Sequence, residues 1–334
     1  MPVTHGVASS SLVQTAKSFR FFGSFFRICI FHNFNDMSKT SIWIRSFRLR
    51  TLPLSLSGVI LANFIAYADS IFNIYTCIFS LTTTLVLQIL SNLANDLGDT
   101  LKGTDNSKRK GPKRAMQTGV ISLKEMKMAI IAFVVLSIIS GTLLIVTSFE
   151  SLSSQNSIYM LSLGALAIIA AIKYTLGKKA YGYHAMGDMF VFIFFGLASV
   201  VGTYFLHTSK IPFNIFLPAT SIGLLAVGVL NMNNIRDIDN DKNCGKNTIP
   251  VIIGENKAKI YHYIIISASL ICMIGYFTYF KKSYYNLYLL SFLPIIKHVI
   301  EVKRSTKENI DKQLKKLSLS TLLLAVISGI TILL

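Results

Sequence analysis

Residues 70–105 read SIFNIYTCIFSLTTTLVLQILSNLANDLGDTLKGTD. The 26 residues from Ser70 to Asn95 contain no Lys, Arg, Asp or Glu, and Asp96, Asp99 and Asp105 follow at once. A helix needs about 20 apolar residues to cross the hydrocarbon core of a bilayer, and lipid leaves an open chain no other way to satisfy its backbone amides and carbonyls. The stretch therefore predicts a membrane span that delivers a set of carboxylates to the water interface.

The rest of the chain repeats the pattern. Of 334 residues 52% are hydrophobic and 14% charged, and the mean hydropathy is +0.55, outside the range of a soluble domain. Further charge-free runs cover residues 51–68, 128–149, 151–172, 189–209, 211–235, 260–280, 283–296 and 317–334. Only 283–296, with 14 residues, is shorter than 18. Snorkelling by Lys297 lets that run continue to Ile300. The expectation is an all-α integral membrane bundle of nine transmembrane helices.

Orientation follows from the basic residues. With the N-terminus and the loops after the second, fourth, sixth and eighth runs on one side, that side carries 30 Lys and Arg, against Lys210, Lys281 and Lys282 on the other. The richer side is the cytoplasmic one. The net charge of +18 is thereby absorbed as a topology signal, and nucleic acid is not expected as a partner. Residues 1–36, with SFRFFGSFFRICIF and no acid before Asp36, read as an over-long start, a targeting peptide or an interfacial segment. A second start at Met37 leads straight into the first run, so residues 37–334 are expected to form a single membrane domain. Cys29, Cys77, Cys244 and Cys272 are scattered without CxxC spacing and suggest neither a metal site nor a disulfide framework.

A second aspartate cluster answers the first. After the sixth run the chain reads NMNNIRDIDNDKNCGKNTIPVIIGE. Asn95 precedes Asp99 by four residues, as Asn233 precedes Asp237 and Asp237 precedes Asp241. On a helix these positions share a face, so each cluster presents an amide oxygen and carboxylates in a stripe on the same membrane side. Hard oxygen donors of this kind suit Mg²⁺, which is usually held by a few carboxylates together with substrate phosphates. Basic residues lie beside both clusters, among them Lys102, Arg109, Arg114, Arg236 and Lys246, as a diphosphate site requires. A single acidic cluster at a helix end commonly marks only the water interface, but two matched ones, each followed by a basic loop with a glycine, argue for a site. Asp239, off the stripe, reads as a solvated neighbour.

With its downstream RKGPKRAMQTGVI, the segment NDLGDTLKGTDN is followed by KYTLGKKAYGYHAMGD and then NNIRDIDNDKNCGKNTIPVIIG. Together they resemble the UbiA-type intramembrane prenyltransferases, in the family order, from about Ile44 to the C-terminus. The resemblance implies a nine-helix bundle with a central cavity under cytoplasmic cap loops. It implies Mg²⁺ held by Asn95, Asp96 and Asp99 from one motif and Asn233, Asp237 and Asp241 from the other, with Asp96, Asp99, Asp237 and Asp241 serving catalysis. Many members place an aspartate four residues after Asp99, where this chain has Gly103, so Asp105 stands as the replacement ligand. The pattern is most similar to the branch whose acceptor is 1,4-dihydroxy-2-naphthoate. The implied partners are polyprenyl diphosphate, that acceptor and membrane lipid, in a bacterial cytoplasmic membrane with the site on the cytoplasmic side.

The middle motif offers Tyr174, Tyr181, Tyr183, Lys179 and Asp188 as the acceptor pocket, although tyrosine also gathers at membrane interfaces for its amphipathic ring alone. His184 reads as a surface loop residue. Three other readings are set against this one. A secondary transporter keeps its coupling acids near the bilayer midplane, whereas none of these runs holds an acid. The DGxxAR motif of CDP-alcohol phosphatidyltransferases is absent. A 4-hydroxybenzoate prenyltransferase remains open as the closest rival.

Overall fold

The computed structural model describes residues 38–106, 109, 111–279, 286–305 and 309–334. The readings of residues 1–36 and Cys29 lie outside this set, as do Lys108, Lys110, Lys281 and Lys282. In the described residues every regular element is helical: α1 (Lys39–Ser46), α2 (Leu52–Ala68), α3 (Ile74–Leu101), α4 (Leu123–Phe149), α5 (Gln155–Lys173) and α6 (Gly187–Thr208), then α7 (Phe216–Arg236), α8 (Ile238–Asn243), α9 (Ile249–Ile253), α10 (Glu255–Tyr279), α11 (Phe292–Arg304) and α12 (Ile310–Leu333).

Among the described residues eight helical stretches are long and apolar enough to cross a membrane, the first of them joining α1 to α2. The described part of the run over 283–296, from Asn286 on, does not form another of this kind. It folds as a 3₁₀ segment, Leu287–Ser291, leading into the 13 residues of α11. At 1.5 Å per residue α11 alone is about 20 Å long, short of the roughly 30 Å hydrocarbon core.

Side-chain caps set where several helices begin. Asn73 Oδ1 accepts from the backbone amides of Tyr75 and Thr76 at the start of α3. Ser122 and Glu125 form a reciprocal capping box on α4, the arrangement that satisfies two otherwise orphaned donors. Ser154 caps α5.

Lipid is as apolar as leucine, so helix association depends on close packing, which small residues permit. Here α6 packs on α7 through Gly196 and Gly223. A Cβ at Gly196 would stand 2.7 Å from the Ala219 carbonyl oxygen and from Gly223 Cα, so Gly196→Ala would force these helices apart. Along this contact residues Phe192–Gly202 of α6 are π-helical, a widening often met at functional sites.

The connections after α3, α5 and α7 meet at one end of the bundle. Asn240 Nδ2 donates to the Thr104 carbonyl at 2.8 Å, and the Asn247 amide donates to the Tyr183 carbonyl at 3.1 Å. Asn106 Nδ2 reaches Cys244 Sγ at 3.4 Å. These contacts put the three loops at the same end of the bundle.

Candidate active site

Beneath these loops lies a cavity of about 710 Å³. Its walls come from α2 to α7 and are largely apolar, and its loop end carries Asn95, Asp99, Arg109, Arg114, Asn233, Asp237, Asp241 and Lys246. Residues of both aspartate clusters therefore face one space.

Continuous helix through Leu101 keeps Asn95 and Asp99 on one face of α3, as their spacing predicts. Thr175 fixes the first of them: its hydroxyl donates to the Ala94 carbonyl at 3.0 Å and lies 3.3 Å from Asn95 Oδ1. The second stripe survives a break. Helix α7 ends at Arg236, yet the Asp241 amide still donates to the Asp237 carbonyl at 2.8 Å, so the two carboxylates keep their four-residue relation. Asp239 is exposed.

The clusters are joined by an alternating chain of arginines and aspartates. Arg48 pairs with Asp96. Arg114 Nε lies 3.6 Å from Asp96 and 3.8 Å from Asp105, and Arg109 Nε lies 3.3 Å from Asp105. Arg109 Nη2 then lies 3.7 Å from Asp237, Arg236 bonds both Asp237 and Asp311, and Arg50 closes the chain on Asp311 at 3.3 Å. Buried ion pairs roughly break even when intact, but removing one member costs about 3–5 kcal/mol because a charge is left without its partner.

Burial and charge pull the titrations in different directions. Burial pushes the Asp105 and Asp241 carboxyls up to about 6, against Arg114 and Lys246 respectively. Burial alone would also raise Asp237, but Arg236 outweighs it and holds that carboxyl below its ordinary value. Burial works against the charge of Lys246, yet Asp99 and Asp241 raise its pKa. Arg114 is brought down to about 9 by burial and then by Arg48.

Several predicted site residues are placed differently from the sequence reading. Asp96 and Asp105 do not line the cavity; they are buried behind it as counter-charges to Arg48, Arg109 and Arg114. Arg236 does not line it either, because its guanidinium is occupied by Asp237, Asn233 and Asp311. Lys102 stands 3.7 Å over the Tyr183 ring instead of in the cavity. Tyr183 lies behind the cavity too, where its hydroxyl donates to Asp99 Oδ1 at 2.9 Å and shares a 2.6 Å bond with Thr104.

Of the acceptor candidates only Tyr174 and Tyr181 reach the cavity. Tyr181 stacks on Phe190 at 3.9 Å between centroids, and burial pushes the Tyr174 phenol up to about 12. Lys179 is exposed on the turn after α5. Asp188 turns to α10, accepting from Tyr261 at 2.9 Å. Arg48, Arg50, Thr175 and Asp311 carry the site but were not predicted. The only signal for the arginines was their place just before the first run, where they read as topology signals.

The donor set fits Mg²⁺. Asn95, Asp99, Asn233, Asp237 and Asp241 offer hard oxygens to the cavity, and the buried Asp241 Oδ2 has no hydrogen-bond partner. Among the described residues no three His, Cys, Asp or Glu side chains form a ready-made metal cluster.

The chain is similar to known proteins in sequence and in fold. Over 238 residues the chain is 44% identical to the 1,4-dihydroxy-2-naphthoate octaprenyltransferase of Escherichia coli (strain K12), covering 71% of this chain and 77% of that protein. Over 267 residues it is 42% identical to the Haemophilus influenzae protein of the same description, covering 79% and 86%. The fold is similar to the apo structure of a UbiA homolog from Aeropyrum pernix K1, with TM-score 0.61, 17% identity, and 86% and 97% of the two chains covered. It is also similar to a UbiA homolog from Archaeoglobus fulgidus bound to GPP and Mg²⁺, with TM-score 0.58, 16% identity, and 87% and 99% covered. The UbiA prenyltransferase family pattern spans residues 55–323, and the chain belongs to that family.

Proposed function

We propose that the chain transfers a polyprenyl group from polyprenyl diphosphate to 1,4-dihydroxy-2-naphthoate, with loss of the carboxylate as CO₂, giving demethylmenaquinone. The observation that carries this reading is one cavity whose loop end gathers residues of both aspartate clusters and five cations, Arg48, Arg50, Arg109, Arg114 and Lys246, while its body is apolar. The acceptor follows from the two relatives above 40% identity, both described as acting on that naphthoate.

Asn95, Asp99, Asn233, Asp237 and Asp241 would hold Mg²⁺, which neutralises a diphosphate and acts as a Lewis acid toward its leaving oxygens. Arg109, Arg114 and Lys246 supply fixed positive charge that needs no reorganisation as the allylic carbon–oxygen bond breaks and its electron pair passes to diphosphate. The cavity walls exclude water from the carbocation. Phe190 and Phe194 line the cavity as stacked rings, and aromatic faces attract cations. Tyr174 and Tyr181 border the space left for the acceptor ring.

We place the activity in residues 37–334 as one domain, on the cytoplasmic side of a bacterial inner membrane, from the bias of 30 basic residues against three. The test is to give membranes containing the protein Mg²⁺, a polyprenyl diphosphate and carboxyl-labelled 1,4-dihydroxy-2-naphthoate. Labelled CO₂ should appear in step with a lipid-soluble quinone. Carboxyl-labelled 4-hydroxybenzoate should yield neither; if it is prenylated with its label retained, the acceptor assignment fails.

A further inference from the structure

Between Arg236 and Arg50 in the alternating chain stands Asp311, in the first turn of α12 and outside both aspartate motifs. We propose that Asp311 is a positioning residue. It fixes the guanidinium of Arg236 so that Arg236 in turn holds Asp237 and Asn233 in the orientation that receives the metal–diphosphate group. This inference rests on the prenyltransferase reading above.

The geometry of Arg236 carries the argument. Nε and Nη2 grip Asp237 side-on at 3.1 and 2.6 Å, Nη2 also donates to Asn233 Oδ1 at 2.8 Å, and Nη1 donates to Asp311 Oδ1 at 2.7 Å. A guanidinium is planar, with five donors in a fixed fork. Anchoring Nη1 on Asp311 therefore sets the plane in which the other two nitrogens meet Asp237. Arg236 is only 2% exposed, so once that anchor is removed, water does not easily replace it.

The other arginines differ. Arg109 Nη2 and Arg114 Nε are buried without a hydrogen-bond partner, and both side chains line the cavity. They have donors to spare for phosphate oxygens, whereas Arg236 has committed its fork to the protein. Asp311 also accepts from Arg50 Nη1 at 3.3 Å and faces Lys315 Nζ at 3.9 Å. Because Arg50 lines the cavity, one carboxylate on α12 sets both a cation at the cavity wall and the second aspartate motif. An acid in the first turn also favours the helix dipole, but that role would act on stability alone.

The test uses the full chain in detergent, with inorganic diphosphate and Mg²⁺ as the probe and the rise in thermal unfolding midpoint as the readout. Asp311→Asn should raise the diphosphate concentration for half-maximal stabilisation at least tenfold, and Asp311→Glu should stay within threefold of the parent. In turnover, Asp311→Asn should raise the apparent KM for Mg²⁺ more than it lowers kcat. Combining it with Arg236→Lys should bind no more weakly than the weaker single variant, since both act through one contact. Parental diphosphate affinity in Asp311→Asn, a Glu variant no better than Asn, or losses that multiply would each overturn the proposal. If the parent itself is not stabilised by Mg²⁺ and diphosphate, the reading of the site falls with it; if the parent is stabilised and Asp311→Asn matches it, only the role of Asp311 falls.

Discussion

Tyr183→Phe deletes one oxygen from a side chain that does not touch the cavity. Tyr183 is 6% exposed, and its hydroxyl donates to Asp99 Oδ1 at 2.9 Å while sharing a 2.6 Å bond with Thr104. A hydrogen bond to a charged acceptor contributes about 1.5–3 kcal/mol. The ring remains, so the Lys102 ammonium 3.7 Å above it keeps its seat. If that bond is what aims Asp99 at the metal, its loss converts to a fall in kcat/KM of about tenfold to a hundredfold, centred on Mg²⁺ dependence. The assay is labelled CO₂ release across a Mg²⁺ titration, with Tyr181→Phe as the comparison, because the Tyr181 hydroxyl donates to the Ala170 carbonyl instead. Mg²⁺ dependence within threefold of the parent in Tyr183→Phe, or an equal change in Tyr181→Phe, would refute the assignment of Tyr183 as the support of Asp99.

Asp105→Asn should lower activity at least tenfold, about 1.4 kcal/mol in the barrier, because Arg109 and Arg114 lose the carboxylate between them; a loss below threefold in the CO₂ assay would reduce Asp105 to a spectator. In chelator, Asp105 and Asp241, both raised to about 6, hold protons in the folded state that the unfolded chain has released. Stability should therefore rise as pH falls from 7 to 5. Added Mg²⁺, which favours the ionised carboxylates, should stabilise more at pH 7 than at pH 5; unfolding midpoints with a stabilising increment independent of pH would contradict this. A cysteine placed at Asn106, with the native cysteines replaced, should react with an impermeant thiol reagent only from the cytoplasmic side, and labelling from outside intact cells would reverse the orientation.

What sequence disclosed and what it hid divide along a physical line. The span ending in NDLGD was legible because both of its signals, freedom from charge over 26 residues and carboxylates at the boundary, are local. The second stripe was legible for the same reason, even though the helix breaks at Asp237. The ion-pair chain was not, because Arg48 reaches Asp96 and Arg236 reaches Asp311 only through the packing of the bundle. In sequence Asp311 sits within KENIDKQLKK and looks like any acid in a solvated basic loop. Arg236 reads in sequence as a diphosphate ligand because it adjoins Asp237, and adjacency does not tell whether a guanidinium points into a cavity or spends its donors on the protein. Tyr174, Tyr181 and Tyr183 lie within ten residues and carry equal claims by composition; the 3₁₀ turn over Tyr181–Tyr183 sends one ring to the cavity and the next behind it.

The charge count of this network constrains how ligands enter. The alternating chain together with Asp99, Asp241 and Lys246 holds six cationic and six carboxylate side chains. Bringing Mg²⁺ alone into this balanced, largely buried set adds uncompensated positive charge, and bringing diphosphate alone adds negative charge. Each is costly where the effective dielectric is low. Together they offset much of each other's charge: the cations in place would compensate the phosphate oxygens and the carboxylates in place would compensate the metal, so each ligand lowers the cost of the other. Binding of either should therefore strengthen binding of the other by the same factor, as linkage requires. A coupling of about 1.4 kcal/mol would appear as a tenfold fall in the apparent Kd for inorganic diphosphate at saturating Mg²⁺ relative to chelator. An unchanged Kd would mean that the arginines alone carry the diphosphate and that the two aspartate clusters do not act on it through metal.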